Sequence, residues 1–173
     1  MNNNKYPRLS FKDIKIDDAQ FFFELYNDKD VMKYIPNSEK KLEDVIKIIE
    51  RIIADRESED RTSYLFVVFD NLINKSVGIV NIKILFIRDE RKCILGYMFK
   101  KEYWGRGYAT EAGLKMIKYG FEVLKLSCIT ASVATEHRES EKVLNKIGMK
   151  KVQIVKDGLE ISSKKYDEVI YEI

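Results

Sequence analysis

The sequence has few of the residues that metal sites and covalent staples are built from. It holds one histidine, His137, and two cysteines, Cys93 and Cys128, in 173 residues. The cysteines stand far apart, form no CxxC pair and have no nearby histidine, so no zinc or other metal site is expected. Reduced thiols in a cytoplasmic protein are the simplest reading. With two prolines and eight glycines, no stretch rich in Gly, Pro or Ser divides the chain, and no repeat recurs. One domain over residues 1–173 is therefore expected. No apolar run approaches the roughly 20 residues of a membrane-spanning helix. The opening Met1-Asn2-Asn3-Asn4-Lys5 leads into polar sequence, without the apolar core of a signal peptide. A surplus of one charge is missing too, because 31 basic and 28 acidic side chains give a net charge of +3. That is far from the footprint of a dedicated nucleic-acid binder. Neither nucleic acid nor membrane is expected as a partner.

What is present suits a packed core: 45% of the residues are apolar. Arg8 to Lys15 alternates apolar and polar residues like a strand, with Leu9 and Phe11 and then, after a shift, Ile14 and Ile16. Asp17 reads as the cap of a helix carrying Phe21, Phe22, Leu25 and Tyr26. Asp28 to Ile35 reads as a short second helix ended by Pro36. Ser38 opens a longer helix in which Leu42, Val45, Ile46, Ile49, Ile52 and Ile53 repeat at helical spacing. Strands follow at Tyr64–Asp70, Val77–Phe86 and Cys93–Phe99, the last two joined by a charged turn from Arg88 to Lys92. A helix from Tyr108 to Leu124, a strand at Ser127–Ala134 and a helix from Glu136 to Ile147 come next. Gly148 stands at the helix C-cap position. Strands Lys150–Val155 and Tyr166–Glu172 flank a turn at Asp157-Gly158. Hairpins mixed with strand–helix–strand units predict one mixed α/β layer fold.

The centre of the chain carries the chemistry. An apolar strand with Ile94, Leu95, Tyr97 and Phe99 runs into Gly105-Arg106-Gly107, and a helix starts at once. The glycines allow a tight turn and a close approach to a ligand. The first N–H groups of a helix lack internal partners, and its dipole favours an anion there. Such a loop can cradle phosphate, with Lys100, Lys101 and Arg106 adding positive charge at the same end. The same glycines would also serve a plain tight turn. The pattern is not a Walker loop, and Thr110 replaces the third glycine of a dinucleotide fingerprint.

The segment Tyr103-Trp104-Gly105-Arg106-Gly107-Tyr108-Ala109-Thr110-Glu111-Ala112 resembles the acetyl-CoA loop of the GNAT N-acetyltransferase superfamily. It is most similar to the branch of the ribosomal-protein N-terminal (alanine) acetyltransferases. The family pattern is Arg/Gln-x-x-Gly-x-Gly/Ala. Gly107 and Ala109 fill its last positions, and Trp104 stands in the first. Leu95-Gly96-Tyr97 resembles the family strand before the loop. Ser140-Glu141-Lys142-Val143-Leu144-Asn145-Lys146-Ile147-Gly148-Met149 resembles the branch's later helix, and Arg8-Leu9, Asp157-Gly158 and Tyr166–Tyr171 also fit. The likeness spans nearly the whole chain.

The resemblance implies a central, mostly antiparallel sheet of about six to seven strands with one splayed parallel pair, flanked by about four to five helices. It implies acetyl-CoA as cosubstrate and a primary amine, on a protein N-terminus or a small molecule, as acceptor. Homodimers are common among relatives. Pantetheine and the acetyl carbonyl would lie on the backbone of Tyr97, Met98, Phe99 and Lys100. The phosphates would lie on Trp104, Gly105, Arg106, Gly107, Tyr108, Ala109 and Thr110. His137 takes the place of an asparagine that contacts CoA in many relatives, and Ile94 the place of a glutamate. A serine at the Ser140 position is a proposed general acid of the branch. Independently, Ser140, Val143, Leu144 and Ile147 share one helical face, which turns Ser140 inward. Glu111 is a candidate base, alongside a water relay. Tyr34, Ile35 and Asn81 are candidate acceptor contacts. A non-catalytic acyl-CoA-binding module, acting as regulator or sensor, is the alternative reading.

Overall fold

Val67, Val68, Val77, Ile79, Val80 and Ile82 are β-branched or aliphatic residues that suit a pleated, doubly covered surface. All are buried at the centre of a single sheet. The computed structural model describes residues 8–36, 40–87 and 90–173. The strands are β1 (Leu9–Asp13), β2 (Ser63–Asp70), β3 (Lys75–Ile87), β4 (Glu90–Phe99), β5 (Cys128–Ala134), β6 (Lys150–Ile161) and β7 (Lys164–Glu172). They form a seven-stranded sheet in the order β1-β2-β3-β4-β5-β7-β6. Every neighbouring pair is antiparallel except β4 and β5, which run parallel. The sheet therefore has the mixed, mostly antiparallel form that the resemblance implies.

Four α-helices cover the two faces of this sheet among the described residues: α1 (Ala19–Asn27), α2 (Leu42–Arg56), α3 (Tyr108–Glu122) and α4 (Arg138–Lys146). Phe22 and Leu25 of α1 and Val45 and Ile49 of α2 pack on Leu65, Val67 and Ile79. On the opposite face, Ala112 and Met116 of α3 and Leu144 of α4 pack on Val80, Ile82, Leu95 and Phe99. Strand alternation sorts the side chains between these faces. Met98 belongs to the α1/α2 side, whereas Tyr97 belongs to the α3/α4 side.

Two local expectations are corrected. Asp28 to Ile35 forms hydrogen-bonded turns, not a helix. The Asp28 carboxylate accepts the N–H groups of Asp30 and Val31, a side-chain bond that competes with the helical ladder. The last hairpin turns at Ser162-Ser163, not at Asp157-Gly158. Both serines have positive φ, 50° and 64°, as a two-residue hairpin turn of this hand requires. Asp157 instead marks an irregularity inside β6, where the register with β7 shifts between Val155 and Leu159. Gly148, with φ 91°, follows α4 as expected. The expected helix start at Ser38, the turn residue Arg88 and the opening residues Met1–Lys5 lie outside the described residues.

Candidate active site

The parallel pair β4–β5 is short. Its register runs Lys92↔Cys128, Cys93↔Ile129 and Ile94↔Thr130, and then stops. Beyond that point Tyr97 and Phe99 remain paired with β3 on one side only. Backbone groups alternate sides along a strand. The Lys100 N–H donates to Val77 O across to β3 at 3.0 Å. The Cys93 carbonyl accepts the Thr130 hydroxyl on the opposite side at 2.8 Å. Odd-numbered residues of β4 thus turn their N–H groups toward β5, so those of Tyr97 and Phe99 face an opening in the sheet. The Phe99 carbonyl, on the same side, accepts the indole N–H of Trp104 at 2.8 Å. That bond ties the glycine loop to the end of β4, a role for Trp104 that its sequence position did not reveal.

Gly105 and Gly107 have φ of 73° and 79°, where a side chain is strained. Nothing lies within 4 Å of a Cβ built on either, so the glycines serve the backbone turn and leave the space beside it clear. Gly107 is the N-cap of α3, and no side chain caps that end. The helix therefore offers its first N–H groups and positive dipole end to an anion.

A polar clamp holds this end of α3. Tyr108, its first residue, donates its hydroxyl to Asp70 Oδ2 at 2.7 Å. Asp70 Oδ1 accepts the N–H of Leu72 at 2.7 Å and of Ile73 at 3.3 Å. Arg8 Nε reaches Asp70 Oδ2 at 3.4 Å, and its Nη1 donates to the Arg106 carbonyl at 3.2 Å. The guanidinium lies over the Tyr108 ring, 3.9 Å from its centroid. The signal in the sequence was an aspartate closing an apolar strand, but its partners lie too far along the chain to be read.

Ser140 and Tyr97 meet. Their hydroxyl oxygens are 2.8 Å apart, joining β4 to α4 on the α3/α4 face. Burial pushes the Tyr97 phenol up to about 12, against the pull of the Ser140 bond. Asn81 lies on the other face: a Cβ at Gly96 would come within 2.6 Å of its Oδ1. Gly96 is thus the residue that lets Asn81 lie across β4.

The remaining candidates divide. His137 is the N-cap residue of α4, and its ring stacks on Tyr34 at 4.7 Å. Tyr166 meets the Tyr34 ring edge-on at 6.1 Å. A residue expected at the cofactor and one expected at the acceptor therefore form one aromatic cluster, with half-buried Ile35 next in the chain. Burial, and secondarily nearby Lys33, lower the His137 pKa against an opposing effect of Glu139, which favours a neutral imidazole. Glu111 turns elsewhere. Its carboxylate pairs with Arg8 at 3.8 Å and Lys115 at 3.3 Å, on the β1 side of α3. Lys100 and Lys101 do not add free charge at the glycine loop: they pair with Glu24 at 2.6 Å and Asp30 at 2.7 Å. Met98 packs toward α1 and α2. Cys93 is buried, and desolvation first and Cys128 second push its thiol up to about 12, so it is no nucleophile at neutral pH. Among the described residues no group of three or more His, Cys, Asp or Glu side chains could hold a metal. No helix of the described residues is long and apolar enough to cross a membrane.

Comparison with known proteins identifies the family and the fold. A family model described as an acetyltransferase (GNAT) domain matches residues 8–150. An uncharacterized N-acetyltransferase of Bacillus subtilis (strain 168) is 28% identical over 166 residues, covering 96% of this chain and 93% of the relative. Spermidine N-acetyltransferase from Vibrio cholerae, solved in complex with CoA and spermine, superposes with a TM-score of 0.85 at 20% identity, covering 96% of this chain and 95% of that one. Ribosomal-protein-S5-alanine acetyltransferase from Vibrio fischeri superposes with a TM-score of 0.86 at 20% identity, covering 97% and 93%.

Proposed function

The chain belongs to the acetyltransferase (GNAT) family, an N-acetyltransferase by class, and from that premise we propose that it binds acetyl-CoA where β4 and β5 part and passes the acetyl group directly to a primary amine in a ternary complex. The observation that carries this reading is the pair of N–H groups, Tyr97 and Phe99, left without strand partners beside the uncapped start of α3. The pyrophosphate sits on the backbone from Gly105 to Thr110, and pantetheine runs along Tyr97 to Lys100. The Tyr97 N–H meets the acetyl oxygen. One such donor is worth about 2.7–4 kcal/mol when the oxygen becomes an oxyanion. Holding both reactants in register supplies roughly 7–11 kcal/mol more.

The two faces of the sheet take separate tasks. The amine approaches from the α1/α2 side, past Asn81 and the Tyr34–Ile35 turn. The sulfur leaves on the α3/α4 side, toward Ser140, which acts as general acid. A free alkylamine has a pKa near 10.4, so it must shed a proton before attack. The ion pairs of Glu111 favour a water relay over Glu111 as base. His137 borders the amine through Tyr34, and its link to CoA rests on the family position alone. The continuous sheet supports reading residues 1–173 as one catalytic domain.

The test is thiol release from acetyl-CoA with a panel holding polyamines, amino acids and peptides with free N-termini. Ser140→Ala is expected to lower turnover by about 10²-fold or more while leaving CoA affinity nearly unchanged. Thermal protection by CoA without thiol release on any amine would favour the binding-module reading instead. Protection by ATP or NAD equal to that by CoA would sink the acetyl-CoA assignment.

A further inference from the structure

Resting on the acetyl-CoA reading above, we propose that the Tyr97 side chain is a positioning residue for thiolate departure: its hydroxyl donates to Ser140 Oγ, turns the serine proton toward the sulfur and makes the serine a stronger acid. The 2.8 Å contact admits two directions of donation, since each hydroxyl carries one proton and can accept. Were Ser140 the donor, the phenol proton would be left with the Ser140 carbonyl at 3.4 Å, beyond the usual range for an O–H···O bond. With Tyr97 as donor, the short bond is made and the serine proton stays free for a third group. A phenol is also the more acidic partner, hence the better donor. Burial keeps that phenol protonated at neutral pH, so it is a donor throughout the working range.

A serine hydroxyl is by itself a poor acid, because the alkoxide it leaves is high in energy. A hydrogen bond to Oγ grows stronger as negative charge develops there, and linked hydroxyls polarise one another. When the carbon–sulfur bond breaks, the sulfur keeps the bonding pair and takes the Ser140 proton. The proton shed by the amine, carried by water, restores the serine. In sum one proton moves from nitrogen to sulfur, and Tyr97 keeps its own.

The test needs no acceptor. CoA itself is bound, and its thiol is titrated through the ultraviolet absorbance of the thiolate. The bound thiol is expected to ionise at lower pH than free CoA, because Ser140 donates to the sulfur. Tyr97→Phe keeps the ring packed near Phe99 and removes only the hydroxyl. It should cut the thiolate fraction at fixed pH by about three- to tenfold. Ser140→Ala should do at least as much. The double variant should match Ser140→Ala alone, because Tyr97 acts through the serine. CoA affinity and the thermal midpoint serve as controls of folding. A wild-type titration in Tyr97→Phe beside a shifted one in Ser140→Ala would overturn the proposal. Additive effects would overturn it too. If wild-type protein fails to bind CoA, the acetyl-CoA reading falls first, and the two failures are told apart.

Discussion

At the scale of single residues, Asp70 carries a large share of the site's rigidity. Among the described residues it is the one buried charged side chain, 1% exposed. Burial alone would raise its pKa. The hydroxyl of Tyr108, the N–H groups of Leu72 and Ile73 and the guanidinium of Arg8 outweigh that, and hold the carboxyl below its ordinary value. Asp70 therefore stabilises the fold fully above the ordinary value of about 3.9. That contribution is lost as pH falls through the lower folded value. Asp70→Asn should be less stable than wild type by about 1–3 kcal/mol at neutral pH. In urea unfolding the difference should shrink as pH falls below about 4; a gap that stays constant there would refute the assignment. The clamp escaped the sequence reading because Arg8 and Asp70 stand 62 positions apart and Tyr108 and Asp70 stand 38 apart. Ser140 was legible as an inward residue from its own helix, whereas its partner Tyr97 lies 43 positions away. Glu111 shows the same limit from the other side. An acid in the first turn of a helix reads equally as a base or as a dipole partner. The structure decides where its carboxylate points, by bringing Arg8, the residue before β1, to the side where Lys115 already stands.

At the scale of elements, the glycine loop and α3 act as one unit. Gly107 has φ 79° and open space where a Cβ would stand. Gly107→Val should therefore cost the fold only about 1–2 kcal/mol, the strain of a left-handed residue. Its effect on CoA should be larger, because a branched side chain would stand at the anion-binding end of the helix. Calorimetry with CoA should show at least a tenfold loss of affinity. Unchanged affinity would mean that the pyrophosphate lies elsewhere. Helix and strand types were legible over most of the described chain, because periods of 3.6 and 2 residues are local properties. The misreadings came where side chains take over from periodicity. Asp28 accepts backbone N–H groups and forms a turn in place of a helix. The hairpin turns at two serines, a pair without the glycine that usually marks such turns.

At the scale of the whole molecule, the parting of β4 and β5 connects the two faces of the sheet, and a ligand seated there should brace both halves. At CoA concentrations of about 100 times its Kd the folded state gains about 2.7 kcal/mol. For a chain of this size that should raise Tm by roughly 5–10 °C, readable in a thermal melt. No rise at saturating CoA would argue against a site in the opening. The sequence by itself determined which segments are helix or strand, that a glycine loop leads into a helix after an apolar strand, and that the chain resembles acetyl-CoA-dependent transferases. Each of these rests on neighbours in the chain. Tertiary structure alone decided that Tyr97 meets Ser140, that Glu111 is bound to Arg8, and that Asn81 and Ser140 take opposite faces. The physical reason is register. Strand order and pairing choose long-range partners, and a shift of one residue would turn every side chain of a strand to the other face.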